Sequence, residues 1–355
     1  AAFKCGPDYI DPMFHREIFG TVSSNTDLFF VQENTAVCLA AQRSQGCDLA
    51  VFEGVMGYYD GIATGACASS YHVSHALGVP ALLVVDAKGA ALSLAALVKG
   101  FADFRTKSQI RAVLLNRCSK QVYEMLKPVI ERECGVEVVG YLPFDEGFSL
   151  LSRHLGLIPP KEVSKLKEKL VHLVSVFEQT VDLEKLLGFA RNAPAVEYEP
   201  LSAPLKPEKT LRLAVAQDKA FCFYYGENLD LLKSLGVELL PFSPLCDKKL
   251  PENIDGIYLG GGYPEVFAAK LAANRSMLES IRSAVQDGVP TFAECGGFLY
   301  LHEFLCDEQG KEHRMAGLVP GRAVKGERLR HFGYITLSAN RDTFFLQSGG
   351  KNFCA

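Results

Sequence analysis

Short apolar runs that each end on a polar residue or a proline constrain this chain more than any other feature. Leu49–Phe52 ends at Glu53 and Gly54, Ala81–Val85 at Asp86, Ala112–Leu115 at Asn116 and Arg117, and Val136–Leu142 at Pro143. Continuous apolar runs of this length, separated by helix-sized stretches, fit strands buried on both faces of a parallel sheet. Ligands of such sheets bind at the carboxyl ends of the strands. Glu53, Asp86 and Asn116 stand there, although a polar residue equally marks where a strand stops.

The pattern runs twice. Residues 161–178 carry Val163, Leu166, Leu170, Leu173 and Phe177 at the spacing of an amphipathic helix with a Lys/Glu solvent face. Ala193–Thr210, with four prolines among small and charged residues, reads as a stiffened linker. Beyond it Leu211–Ala216, Val237–Phe242, Gly256–Leu259 and Val289–Ala293 read as strands. Asn228–Leu235, closed by Gly236, and Met277–Gln286 read as helices. The expected fold is α/β with two domains, each a mainly parallel sheet flanked by helices. A chain of 355 residues suits two domains at ~150 residues each. The expected boundaries are 1–190, a linker over 191–210, and 211–355.

Composition narrows the function classes. A net charge of −4 and an isoelectric point near 6.1 argue against a basic nucleic-acid-binding face. The longest apolar runs, such as Val79–Ala87, are too short to cross a bilayer, so no membrane partner is expected. The eleven cysteines form no CxxC pair and no regular ladder, which fits neither a zinc site nor a disulfide scaffold. They suggest a reducing cytoplasm, and most read as small core residues.

Cys295 stands apart. In Thr291–Leu301 a strand breaks at Glu294 and Cys295, two glycines follow, and an apolar helix pattern resumes. This is the pattern of a nucleophile elbow, with cysteine in the place of serine. The turn exposes the sulfur near a helix N-terminus, where thiolate is expected to be stabilised. The N–H of Gly296 can face an oxyanion, and a second donor can come from the Gly260–Gly262 turn, where backbone can approach closely. In the first half, Asp8 and Asp11 lie in a Gly/Pro-punctuated loop, and Glu53 and Asp60 flank a glycine-bounded one. Four carboxylates on loops at one sheet edge suit Mg²⁺ and a nucleotide, although Asp8 and Asp11 also read as simple turn residues.

Leu259–Glu265, Phe292–Phe298, Ala214–Tyr225 and Pro241–Leu245 together resemble the glutamine amidotransferase domain of the cobyrinic acid a,c-diamide synthase family. Gly6–His15, Asn25–Asp27, Glu53–Gly61, Val84–Ala87, Leu115–Arg117 and Gly140–Pro159 resemble the synthetase domain of the same family, so the resemblance runs nearly end to end. It implies a P-loop NTPase-like synthetase domain followed by a flavodoxin-like glutaminase domain. It also implies glutamine-hydrolysing amidation of the a and c carboxylates of a cobyrinic-acid-type corrin, with ATP as co-substrate and Mg²⁺ as cofactor. Cys295 would form a glutamyl thioester, with Gly261, Gly262 and Gly296 binding glutamine and its oxyanion. Asp8, Tyr9, Ile10, Asp11 and Asp60 would lie at the macrocycle and acyl-phosphate site. Asn116 would read the adenine and Glu53 would be the metal carboxylate. A homodimer is compatible with this picture.

Two departures accompany the resemblance. No Gly-x-x-x-x-Gly-Lys-[Ser/Thr] string occurs, and the family's loop of that type lies upstream of the segment matching Phe3–Asp11. The family's histidine base lies in a Gly-His-Glu-Phe-His-like segment beyond the match to Phe332–Gly350. His302, about 10 Å along a helix from Cys295, is too far to substitute. His313 reads as a loop residue and His331 precedes a strand. The expectation is a chain truncated at both ends, with weak or no activity from these residues alone. The alternatives are a nickel-sirohydrochlorin a,c-diamide synthase, or a non-catalytic homologue acting as a binding or scaffold protein. Cobyric acid synthase is disfavoured by the Gly6–Pro12 loop.

Overall fold

Strand and helix alternate from the first residues of the computed structural model, which describes residues 1–150, 152–153, 156–157, 160, 163, 165–202, 207–326, 333–342 and 353–354. Two compact units result: Ala1–Leu201 with Tyr334–Ala355, and Ser202–Gly333.

The first unit runs β1 (Ala2–Cys5), α1 (Ile10–Phe19), β2 (Ser23–Thr26), α2 (Glu33–Ser44), β3 (Val51–Glu53) and α3 (Ser70–Leu77). It continues with β4 (Ala81–Asp86), α4 (Ser93–Asp103), β5 (Ile110–Asn116), α5 (Lys120–Cys134) and β6 (Glu137–Leu142). These strands form two three-stranded parallel sheets, ordered β2-β1-β3 and β4-β5-β6. Phe3, Cys5, Val37, Val73 and Leu77 make the core beside the first sheet, and Val113, Leu115, Leu126, Ile130 and Val138 the core beside the second. Local chemistry sets the helix ends. Ser69 and Ser119 cap α3 and α5 with their side chains, and Gly78 and Gly135 end them in the left-handed conformation.

The central strands β1 and β5 are buried, β5 as its apolar run leads one to expect. The edge strands differ: Val51 on β3 is 54% exposed and Val84 on β4 is 55% exposed. Both belong to edge strands among the described residues, which leaves their side chains less covered than those of β5.

A short hairpin of β7 (Ser152–Arg153) and β8 (Gly156–Leu157) precedes α6 (Leu166–Thr180) and α7 (Leu183–Arg191). The helix expected over 161–178 thus starts at Leu166, and Leu170, Leu173 and Phe177 are half-buried. Residues 161, 162 and 164 lie outside the described residues. The linker-like stretch is tied down in part. Val196 and Tyr198 pack on the first core, and Asn34 exchanges two hydrogen bonds with the Glu199 backbone, at 3.0 and 2.7 Å.

The second unit runs β9 (Leu211–Ala216), α8 (Gly226–Ser234), β10 (Val237–Phe242), β11 (Gly256–Leu259), α9 (Ala268–Ala273), α10 (Arg275–Gln286), β12 (Thr291–Ala293) and α11 (Gly296–Tyr300). Its parallel sheet has the order β10-β9-β11-β12. Ala214, Ile257, Leu259, Met277, Ile281 and Tyr300 lie in its core. A second sheet of β13 (His302–Cys306), β14 (Glu312–Arg314) and β15 (Val319–Ala323) follows, ordered β14-β13-β15. The antiparallel pair β16 (Thr336–Leu337) and β17 (Phe353–Cys354) belongs to the residues grouped with the first unit. No helix of the described residues is long and apolar enough to cross a membrane.

Candidate functional site

In the second unit the site is built by two neighbouring strands ending side by side. β11 and β12 pair in parallel with Leu259 opposite Ala293, so the loops that leave them start together. One is Gly260–Gly262 and the other is Glu294–Cys295. The glycines are there because nothing larger fits. A Cβ on Gly260 would meet the Tyr224 ring at 2.5 Å, one on Gly261 the Cys295 Cβ at 3.3 Å, and one on Gly296 the Pro264 Cδ at 2.8 Å. Tyr224 braces the loop from below, its hydroxyl donating to the Ala216 carbonyl and accepting from the Gly260 N–H at 2.9 Å.

Cys295 turns the corner with φ 46° and ψ −117°, a backbone that L-residues rarely adopt and that concentrates at functional sites. The backbone N–H groups of Gly296 and Gly262 are near enough to its sulfur to favour the thiolate. Its thiol is nevertheless pushed up. Cys295 is an exposed residue, yet desolvation by the protein around it does most of this and the Glu294 and Glu265 carboxylates add to it, outweighing the two N–H groups. The Gly296 N–H at the start of α11 still favours the thiolate. α11 is a helix of five residues, too short to present much of a dipole. Glu294 itself is raised by burial, although Tyr258 donates to it at 2.6 Å.

The histidines are placed differently from their sequence reading. His302 opens β13 instead of continuing a helix, and its Nδ1 bonds the Phe298 carbonyl at 3.0 Å. His313 lies in β14, 9% exposed and held by Asp307 at 2.7 Å, not in a solvated loop. Neither bond is to Cys295. His331 lies outside the described residues.

In the first unit the strand ends gather a different set. Lys4 of β1 and Glu53 of β3 are register partners, so both side chains leave the same face. The Lys4 Nζ meets Asp11 Oδ2 at 2.6 Å, Glu53 Oε1 at 3.1 Å and the Gly54 carbonyl at 3.0 Å. His15 Nε2 holds the other Glu53 oxygen at 2.9 Å. Burial alone would raise Glu53, but the His15 hydrogen bond and the Lys4 charge outweigh it and bring Glu53 down to about 2. Burial raises Asp11, with help from the neighbouring carboxylates and against the Lys4 hydrogen bond.

The four carboxylates expected together are only partly so. Lys4 joins Asp11 to Glu53. Asp8 instead accepts from the Ile10 and Asp11 N–H groups at 2.7 and 3.0 Å, capping α1. Asp60 accepts from the Gly57 N–H at 3.0 Å within its own loop. Among the described residues no group of three or more His, Cys, Asp or Glu side chains is arranged to hold a metal ion. A single attachment fits the chemistry of Mg²⁺, which keeps most of its waters. Glu53 is ionised, its side chain is 45% exposed, and each oxygen keeps a lone pair beyond its one partner. Tyr9 precedes α1, and Ile10, 2% exposed, is a core residue there. Asn116 ends β5 opposite Asp86 of β4, its side-chain oxygen accepting from the Arg117 N–H at 3.0 Å, while Arg117 pairs with Asp86.

The sequence reading passed over Lys4, His15, Tyr224, Tyr258 and Tyr334. Tyr334 donates to the buried Asp27 at 2.7 Å and packs on Phe29. Lys4 had a signal: a charged residue between Phe3 and Cys5 inside an otherwise apolar strand needs a partner at burial.

A cysteine on a strand-to-helix elbow beside a glycine loop is an arrangement that can serve acyl transfer. Comparison with known proteins defines the class. Residues 212–345 match the CobB/CobQ-like glutamine amidotransferase domain, and the protein is a glutamine-dependent amidating ligase. Proteins named cobyrinate a,c-diamide synthase from Caldanaerobacter subterraneus, Clostridium tetani and Salmonella typhimurium are 41%, 42% and 41% identical to it. The matches cover 98%, 99% and 98% of this chain and 77%, 78% and 76% of the relatives. The chain belongs to the cobyrinate a,c-diamide synthase family.

Proposed function

We propose that the protein converts the a and c carboxylates of cobyrinate to amides, taking nitrogen from glutamine and energy from ATP. The observation that carries the reading is Cys295 itself, held on a left-handed elbow between β12 and α11 beside the Gly260–Gly262 loop, where a Cβ on Gly261 would lie 3.3 Å from the Cys295 Cβ. Residues 211–355 would then be the glutaminase domain, residues 1–190 the synthetase domain and 191–210 the linker.

In the glutaminase step the Cys295 sulfur attacks the side-chain amide carbon of glutamine. The Gly262 and Gly296 N–H groups, with Gly261 leaving room beside the sulfur, hold the oxyanion. The carbon–nitrogen bond breaks, ammonia leaves with the thiol proton, and water hydrolyses the thioester to glutamate. In the synthetase step a substrate carboxylate oxygen attacks the γ-phosphorus of ATP, ADP leaves, and ammonia displaces phosphate from the acyl carbon. Asp8, Asp11 and Asp60 line the carboxylate end of that site. Tyr9 and Ile10 help to choose the side chain to be amidated, and Asn116 faces the adenine. Glu53 is the residue that would hold Mg²⁺, which when bound offsets phosphate charge.

A glutamine-analogue electrophile tests the nucleophile. Labelling followed by peptide mass spectrometry should place the adduct on Cys295, with excess glutamine protecting it and Cys295→Ser abolishing it. An adduct elsewhere, or one indifferent to glutamine, removes Cys295 from this role.

A further inference from the structure

Lys4 is 6% exposed, and an ammonium so buried must have every proton placed. It has three N–H donors, and three acceptors surround it: Asp11 Oδ2 at 2.6 Å, Glu53 Oε1 at 3.1 Å and the Gly54 carbonyl at 3.0 Å. Those acceptors come from separate segments. Asp11 is in the first turn of α1, Glu53 ends β3, and Gly54 opens the loop that runs to Asp60. His15, one turn further along α1, takes the far oxygen of Glu53 at 2.9 Å and has Ser23 of β2 at 3.3 Å on its other nitrogen. The Glu53 carboxylate is thus gripped at both oxygens, from β1 on one side and α1 on the other.

We propose that Lys4 is a positioning residue of the carboxylate-activating site: its ammonium fixes Asp11, Glu53 and the Gly54–Asp60 loop in one arrangement, with His15 as the second grip on Glu53. An ion pair that served only stability could stand anywhere in the fold. This one stands at the carboxyl ends of parallel strands, where α/β sheets bind ligands, and it joins the segments that carry the candidate substrate and metal carboxylates. Orienting partners of this kind change affinity or activity by about 10–100-fold when removed. The proposal rests on the reading of the first unit as the site of carboxylate activation.

Hydrogen–deuterium exchange of the protein tests it without requiring turnover. Lys4→Met should speed exchange of the Asp8–Asp11 and Gly54–Asp60 amides together, by about tenfold, while β5 and β6 stay protected. Lys4→Arg, which still presents donors to both carboxylates, should restore most of that protection. In parallel, Lys4→Met should lower amidation by about 10–100-fold and leave glutamine hydrolysis at Cys295 unchanged. Unchanged exchange in the two segments overturns the proposal. So does a rise spread over β5 and β6 as well, since Lys4 would then merely hold the unit together. Should Lys4→Met fail to fold, Asp11→Asn removes one arm of the grip and is read in the same two segments. If the unmodified protein amidates nothing, the functional reading fails, and the exchange result still decides the role of Lys4.

Discussion

A thiol pushed up by its surroundings is a poor nucleophile until something takes its proton. The surroundings of Cys295 push its thiol that way, so in the proposed role a base must take its proton. Its alkylation by iodoacetamide, followed on the Cys295 peptide, should keep rising as pH passes the ordinary thiol value of 9.0. A plateau below that pH would contradict the upward displacement of the thiol. Glu53 has the opposite displacement, from 4.5 down to about 2. A depressed carboxylate adds stability that is present above its unfolded value and lost as pH falls through the folded one. Thermal melts should therefore show that Glu53→Gln flattens the fall in stability between about pH 4.5 and pH 2. At this scale the sequence was legible where chemistry and backbone coincide, as at Cys295 between Glu294 and two glycines. It was not legible at Lys4, because the partners that explain a buried ammonium lie seven and forty-nine residues away, Asp11 on α1 and Glu53 across the β1–β3 register.

At the scale of elements, the apolar runs located the strands well, and Leu211–Ala216 and Val237–Phe242 have the bounds that the sequence suggests. Periodicity could not tell a buried strand from an edge strand, since Val51 and Val84 read as interior residues and are exposed. Nor could it place His302 and His313, because the helix after Cys295 stops within five residues and a small second sheet takes over. That helix is short but tightly seated. A Cβ on Gly297 would lie 2.1 Å from the Leu259 carbonyl oxygen, and one on Gly262, at φ +153°, 2.1 Å from that of Ala220. Backbone must move in either case, so Gly297→Ala should lower stability by about 3 kcal/mol in urea denaturation. Gly262→Ala should do the same and also slow labelling of Cys295, because it shifts one of the two N–H groups at the sulfur. A Gly262→Ala protein with native stability would show that the loop is looser than its packing indicates.

At the scale of the whole molecule, two α/β units carry two chemically different sites. One sets Cys295 on an elbow beside a glycine loop and the other joins Asp11 and Glu53 through a buried lysine at strand ends. A glutaminase alone requires only the first. The second, in a chain of the cobyrinate a,c-diamide synthase family, is what a carboxylate-activating partner reaction would use. The central claim is that glutamine nitrogen passes through Cys295 chemistry into a cobyrinate amide. The most direct measurement is mass spectrometry of cobyrinate incubated with the protein, ATP and glutamine labelled with ¹⁵N at its side-chain amide. The account predicts ¹⁵N amides at the a and c positions, lost in Cys295→Ser with glutamine and regained when ammonium replaces glutamine. Amides formed from labelled glutamine by Cys295→Ser, or amides that carry no ¹⁵N from labelled glutamine, would contradict it.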